Sequence, residues 1–233
     1  MMLLRLSGHS GAGKSRLTAA LRRGGVACPQ AVLYTSRPAR QGEAHGKDYY
    51  FLSRAAIAAL PSGEFFIGPV RNMLQAVDLA QLEHDLASND LVLIEIFHSL
   101  WPGLTERLHA RIGNRLRTAS VFMTAVDPDH LRGLPDDATR SQKIQEEVER
   151  ILSWRSKDSP ADIKKRSDSA VKEILEAIGP EGRKQYSDVL HSAAEGPDGK
   201  DDWTREEHPV GRAEAVLKRF LEIVKASAQA AQQ

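Results

Sequence analysis

Gly8-His9-Ser10-Gly11-Ala12-Gly13-Lys14-Ser15 reads G-x-x-x-x-G-K-[ST], directly after the apolar run Met2-Leu3-Leu4-Arg5-Leu6 and before a helical pattern. This pattern demands one local fold: a buried strand, a glycine turn, then a helix. Successive backbone N–H groups and the positive end of the helix then converge on phosphates. The glycines permit backbone conformations that a Cβ forbids. Gly8, Ser10, Gly11, Ala12, Gly13, Lys14, Ser15 and Arg16 form the expected nucleotide-binding set. Lys14 would reach the β- and γ-phosphates of ATP, and the Ser15 hydroxyl would ligate Mg²⁺.

The other apolar runs continue an alternating theme. Leu3 to Leu6, Ala31 to Thr35, Leu91 to Ile96, Ala119 to Thr124 and Asp188 to His191 are short, and helix-length stretches separate most of them. Helical patterns cover Lys14 to Arg23, Leu79 to Ala87, Leu100 to Ile112, Ile144 to Trp154, Pro160 to Ile178 and Val210 to Ala228. Such alternation predicts an α/β fold with a parallel sheet between helices. Residues 132–143 and 193–208 are polar with few apolar anchors and read as surface insertions. The end, from Ala226 onward, is expected to fray.

Composition narrows the partners. With 32 Lys+Arg against 31 Asp+Glu, no global field recruits nucleic acid or an anionic membrane. The single cysteine, Cys28, excludes an internal disulfide, and the eight histidines show no metal-ligand spacing. No window approaches 18 uninterrupted apolar residues, so the expectation is a soluble, cytoplasmic protein.

A second phosphate site follows the second predicted strand. Arg37 and Arg40 lie three apart on a loop with Pro38 and Gly42, followed by Tyr49 and Tyr50. Planar guanidinium forks and a phenol hydroxyl suit a phosphate dianion. Physics alone equally allows a solvated basic loop. Glu95, near the C-terminal end of the Leu91 run, falls where a parallel sheet faces its ligand crevice. A carboxylate there is costly unless paired or solvated.

The string Thr35-Ser36-Arg37-Pro38-Ala39-Arg40-Gln41-Gly42-Glu43, continued by Gly46-Lys47-Asp48-Tyr49-Tyr50-Phe51, resembles the GMP-binding segment of the guanylate kinase family, T-T-R-x-x-R-x-G-E-x-x-G-x-D-Y-x-F. The resemblance implies that Arg37, Arg40 and Tyr49 hold the acceptor phosphate and that Glu43 buttresses their loop. Arg150 to Arg155 with Ile163 to Arg166 is similar to the family's lid, which would make Arg155 and Arg166 the arginines closing over the transferring phosphoryl group. The charged string Lys164-Lys165-Arg166 also reads as an ordinary solvated face. Glu95 occupies a place where the family has Asp, implying a hold on a magnesium-bound water or on Lys14.

The implied fold is a P-loop NTPase-type three-layer α/β arrangement with a central parallel sheet, an inserted NMP-binding segment and a helical lid. The single domain, 1–233, would divide into a core (1–33, 79–128 and 170–233), an acceptor-binding region (34–78) and an insertion plus lid (129–169). Lys14, Arg155 and Arg166 would be catalytic. Arg37, Arg40, Glu43, Tyr49 and Glu95 would bind the acceptor, and ATP and Mg²⁺ would be required.

The family's base-reading groups are absent. Leu33 or Tyr34 replaces a serine, Ile67-Gly68-Pro69 replaces Glu-Trp-Ala, Arg71 to Gln75 replaces the expected tyrosines and glycine, and Phe97 replaces the second acid. Losing several hydrogen-bonding groups should relax or redirect base specificity. Phe65, Phe66, Met73 and Phe97 either line a more apolar pocket or pack as core. The expected activity is transfer of the γ-phosphoryl group to GMP or a related nucleotide. The alternatives are a kinase for a non-nucleotide phosphate such as ribose 1,5-bisphosphate, or a non-catalytic interaction module.

Overall fold

The computed structural model describes residues 1–40, 42–70, 72–155, 158–192, 203 and 208–229, without the side chains of residues 155, 228 and 229. Its strands form two four-stranded sheets, ordered β6-β1-β7-β8 and β3-β2-β5-β4. The ranges are β1 Met2–Gly8, β2 Leu33–Thr35, β3 Tyr49–Phe51, β4 Phe65–Val70, β5 Met73–Asp78, β6 Leu91–Ile94, β7 Arg117–Thr124 and β8 Asp188–His191. By contact the chain divides into two units. One holds residues 1–5 and 27–118, the other residues 6–26 and 119–233.

In the first unit, β1 pairs in parallel with β6 from Met2↔Leu91 to Arg5↔Ile94. All four residues of β6 are buried, as a strand covered on both faces must be. The segment before β2 extends this pairing, because Leu93 N–H donates to Pro29 and Ala31 N–H donates to Leu93. The predicted strand from Ala31 is therefore divided between the two sheets.

The second sheet is mixed. β2 pairs in parallel with β3 and antiparallel with β5, and β5 pairs antiparallel with β4 from Phe65↔Asp78 to Val70↔Met73. This β4–β5 hairpin was not expected from the sequence. Gly68 and Pro69 interrupt the β-branched pattern, and both have structural reasons. A Cβ on Gly68 would lie 2.2 Å from the Leu100 side chain. Pro69 sits on the edge strand, where its missing N–H disrupts no ladder.

Helices α2 (Arg54–Ala58), α3 (Leu79–Ser88) and α4 (Trp101–Ile112) complete this unit. Ser53 caps α2 and Asp78 caps α3 through side-chain oxygens accepting Ala56 N–H and Gln81 N–H. Leu82, Leu86, Leu104 and Leu108 recur at helical spacing and enter one core with Leu3, Val77, Val92 and Ile94. Phe66 and Phe97 pack against that core, so for these two the core reading holds.

The second unit carries α1 (Lys14–Arg23), α5 (Pro128–Gly133), α6 (Asp137–Arg155), α7 (Pro160–Ile178), α8 (Pro180–Gln185) and α9 (Gly211–Gln229). β7 and β8 pair in parallel from Val121↔Asp188 to Thr124↔His191. Ile144, Val148 and Leu152 on α6 meet Ala170, Ile174 and Ala177 on α7 in a buried cluster with Phe122.

The segment 132–143, read as an insertion, is largely helical: it spans the end of α5 and the start of α6. Polar residues there are held by capping and ion pairs instead of burial. Asp136 accepts Thr139 N–H, Arg140 pairs with Asp137, and Lys143 pairs with Glu147. Most of the second predicted insertion, 193–202 and 204–207, lies outside the described residues, but Trp203 is buried and its carbonyl accepts from Arg23. α9 continues to Gln229, beyond the expected fraying point at Ala226. Among the described residues no helix is long and apolar enough to cross a membrane.

Candidate functional site

The loop between β1 and α1 has the backbone its sequence demands. Gly8, Gly11 and Gly13 have φ of 148°, 89° and 84°, and Gly13 precedes the first turn of α1. At Gly8 a Cβ would lie 2.4 Å from the Met123 carbonyl oxygen, so only glycine fits. Lys14 folds back along the loop, its Nζ donating to the Gly8 carbonyl at 2.8 Å and reaching the His9 carbonyl at 3.5 Å.

Two side chains, those of His9 and Ser192, brace the loop. His9 is fully buried, with Nε2 accepting Ala125 N–H at 3.0 Å and Nδ1 lying 2.8 Å from the Ser10 carbonyl. Because Ala125 N–H can only donate, Nε2 must be bare and the ring proton sits on Nδ1, facing Ser10. The buried Ser192 hydroxyl bonds the carbonyl oxygens of Ala12 and Thr124. His9 stands at a variable motif position, so its role is not legible in the pattern itself.

Arg166 of α7 reaches this loop. Its Nε and Nη2 donate to Ser10 Oγ at 2.9 and 2.5 Å, and its Nη1 pairs with Asp158. Ser159 fixes the start of α7 by accepting Asp162 N–H, with Pro160 in the first turn. Of the two expected lid arginines, Arg166 is thus placed at the loop. Arg155 ends α6, and its side chain lies outside the described residues.

Ser15 is exposed at the N-terminus of α1. Among the described residues no three His, Cys, Asp or Glu side chains gather as a metal-binding group. A lone hydroxyl beside a phosphate cradle fits Mg²⁺, which takes one or two protein oxygens and completes its shell with phosphates and water.

The residues expected to clamp the acceptor lie in the first unit. Glu43 receives Arg37 as a fork, Nη1 to Oε2 and Nη2 to Oε1, both 2.6 Å, and also accepts Arg40 N–H at 2.7 Å. Gly42 makes this turn at φ 87°. Burial would raise the Glu43 carboxyl, but hydrogen bonds from Arg37 and Arg40 outweigh it and hold the group below its usual range. The Arg37 guanidinium lies 4.8 Å from the Tyr49 ring centroid and 5.4 Å from that of Phe51. Arg40 is exposed.

Tyr49 is pushed up to about 12, by burial first and then by the Glu95 carboxylate, against the opposing pull of Arg37. Its hydroxyl therefore stays protonated and can donate at any physiological pH. Glu95 lies just past β6 and accepts from Gln30 Nε2 at 3.3 Å. The structure thus brings Arg37, Glu43, Tyr49 and Glu95 into one neighbourhood, to which sequence reasoning added neither Gln30 nor Gln75.

A sequence profile described as guanylate kinase matches residues 1–76. A guanylate kinase from Methylococcus capsulatus is 29% identical over 175 residues, covering 74% of each chain. One from Buchnera aphidicola is 30% identical over 182 residues, 76% of each chain, and one from Nitrobacter hamburgensis is 31% identical over 171 residues, 72% of this chain and 68% of its own. The chain belongs to the guanylate kinase family. Among solved structures, the guanylate kinase of Anaplasma phagocytophilum superposes with a TM-score of 0.51 at 18% identity, covering 98% of this chain and 86% of that one, a likeness of fold. For a guanylate kinase family member, the α/β architecture with its parallel sheet is the expected one.

Proposed function

We propose that this guanylate kinase family member moves the γ-phosphoryl group of ATP onto the phosphate of a nucleoside monophosphate, GMP or a related nucleotide. The Arg37–Glu43 fork carries this reading. A guanidinium held by a carboxylate over two aromatic rings is costly to organise and suits a phosphate dianion. Arg40 and the protonated Tyr49 hydroxyl add donors beside it.

On this reading ATP lies along Gly8 to Ser15, with Lys14 leaving the loop carbonyls for the β- and γ-phosphates. An oxygen of the acceptor phosphate attacks the γ-phosphorus, and the bond to the β–γ bridging oxygen breaks to release ADP. No covalent enzyme intermediate is needed. Arg155 and Arg166 neutralise charge on the transferring group and help exclude water, which would otherwise take the phosphoryl group. Ser15 would hold Mg²⁺ through its hydroxyl, and the ion would supply positive charge to the ATP phosphates. Glu95 sets the polarity around Tyr49. The regions 34–78 and 129–169 serve as acceptor-binding segment and insertion plus lid, and the protein works in the cytoplasm, where ATP and monophosphates are made.

The absent base-reading residues support a second reading, a kinase for a different phosphorylated small molecule. One assay separates the two. Full-length protein, ATP and Mg²⁺ are mixed with GMP, other monophosphates and ribose 1,5-bisphosphate, and ADP release is followed. Acceptor-dependent ADP with nucleotides supports the first reading; activity with the sugar phosphate alone supports the second. Failure to bind ATP would move the chain to the non-catalytic interaction modules.

A further inference from the structure

Phe51, Thr35 and Gln75 stand in one row across three strands, since Thr35 pairs with Phe51 on β3 and with Gln75 on β5. Paired residues of neighbouring strands share a sheet face. Arg37 lies over Phe51, so Gln75 is on the same face as the phosphate clamp, two strand spacings or about 10 Å along. A phosphorylated molecule held by Arg37 can lay its remaining part across that distance.

The orientation of the Gln75 carboxamide is decided by its partner. Phe97 N–H, a donor only, lies 3.4 Å from Gln75 Oε1. The oxygen is thereby directed to the backbone, and the two N–H donors of Nε2 take no acceptor among the described residues. Gln75 is half-buried, so those donors remain reachable. Phe97 stands where the family's pattern has a second acid. The accepting carboxylate of that pattern is thus missing next to Gln75.

Resting on the phosphotransferase reading above, we propose that Gln75 reads the non-phosphate part of the acceptor and selects an oxygen there that accepts a hydrogen bond. Ring carbonyls are favoured over ring amino groups at the position it meets. A carbonyl satisfies Nε2, whereas an amino group faces it donor to donor and leaves both desolvated and unpaired.

Three pairs of monophosphates differ by oxo against amino at one ring position: XMP and GMP, IMP and AMP, UMP and CMP. The test measures kcat/KM for all six with wild type, Gln75→Glu and Gln75→Met, alongside melting temperatures. Gln75→Glu keeps an oxygen for Phe97 N–H and turns the outward group into an acceptor. Wild type should favour the oxo member of at least one pair by about tenfold or more, Gln75→Glu should reverse that preference, and Gln75→Met should bring it near unity. The change should fall mainly in KM. Should Gln75→Glu fail to fold, the ratio in Gln75→Met decides alone. Ratios within threefold of wild type in folded variants overturn the role of Gln75 while leaving phosphotransfer intact; no turnover of any monophosphate overturns the phosphotransfer reading and this inference with it.

Discussion

Glu43 grips Arg37 through both carboxylate oxygens, each 2.6 Å from a guanidinium nitrogen, and it also accepts the Arg40 backbone N–H. Arg37 is thereby oriented by its own loop, ready for the proposed acceptor phosphate. Replacing Glu43 with Ala removes three charge-assisted bonds and frees Arg37 to sample other rotamers. Acceptor KM should rise about ten- to hundredfold, with KM for ATP little changed. Steady-state kinetics with each substrate varied in turn check this, and equal changes in both constants would contradict it.

The same carboxylate gives a pH dependence. Its folded-state pKa is below the ordinary value of 4.5, so it stabilises the folded protein fully above that value. The contribution is lost as pH falls through the lower, folded-state value. Melting temperature should therefore drop on acidification below about 4.5 more steeply in wild type than in Glu43→Gln, which has no such proton to take up.

Arg166 donates two hydrogen bonds to Ser10 Oγ from α7. Arg166→Ala should lower kcat by roughly 10²- to 10³-fold, the usual cost of losing one transition-state donor. Arg166→Lys should recover little of it, because an ammonium lacks the fork. Single-turnover rates separate this from slowed product release.

His9 joins the loop to the end of β7 through Ala125. His9→Ala leaves that amide unpaired and a void beneath the loop. The expected cost is roughly 2–3 kcal/mol, or about 5–10 °C in melting temperature at this chain length. ATP affinity should weaken in parallel.

Two glycines separate space from backbone strain. Gly8→Ala drives a Cβ to 2.4 Å from the Met123 carbonyl, whereas at Gly25, φ 74°, nothing lies within 4 Å. Gly25→Ala should cost only the left-handed penalty, about 1–2 kcal/mol. Gly8→Ala should cost over about 4 kcal/mol; denaturant melts of both variants would show the difference.

The phosphate loop was legible because its residues are contiguous and each has a backbone reason to be there. The Arg37–Glu43 pair lies within six residues of one loop, so Glu43 as a buttress of that loop was within reach of the sequence. The β4–β5 hairpin was not. Two residues separate Val70 from Met73, yet the turn lacks the usual glycine and the strand carries Gly68 and Pro69 for reasons of packing against Leu100 and edge position. The first turns of α6 were hidden because ion pairs and an Asp136 cap hold them, leaving no apolar stripe to see. Gln75 and Phe97, 22 residues apart, meet only through the pairing of β5.

The exposed Pro69 on β4 carries one more consequence. A neighbouring chain seeking to lengthen that sheet would meet a pyrrolidine ring where it needs an amide proton, so end-on stacking of molecules through this border is chemically discouraged.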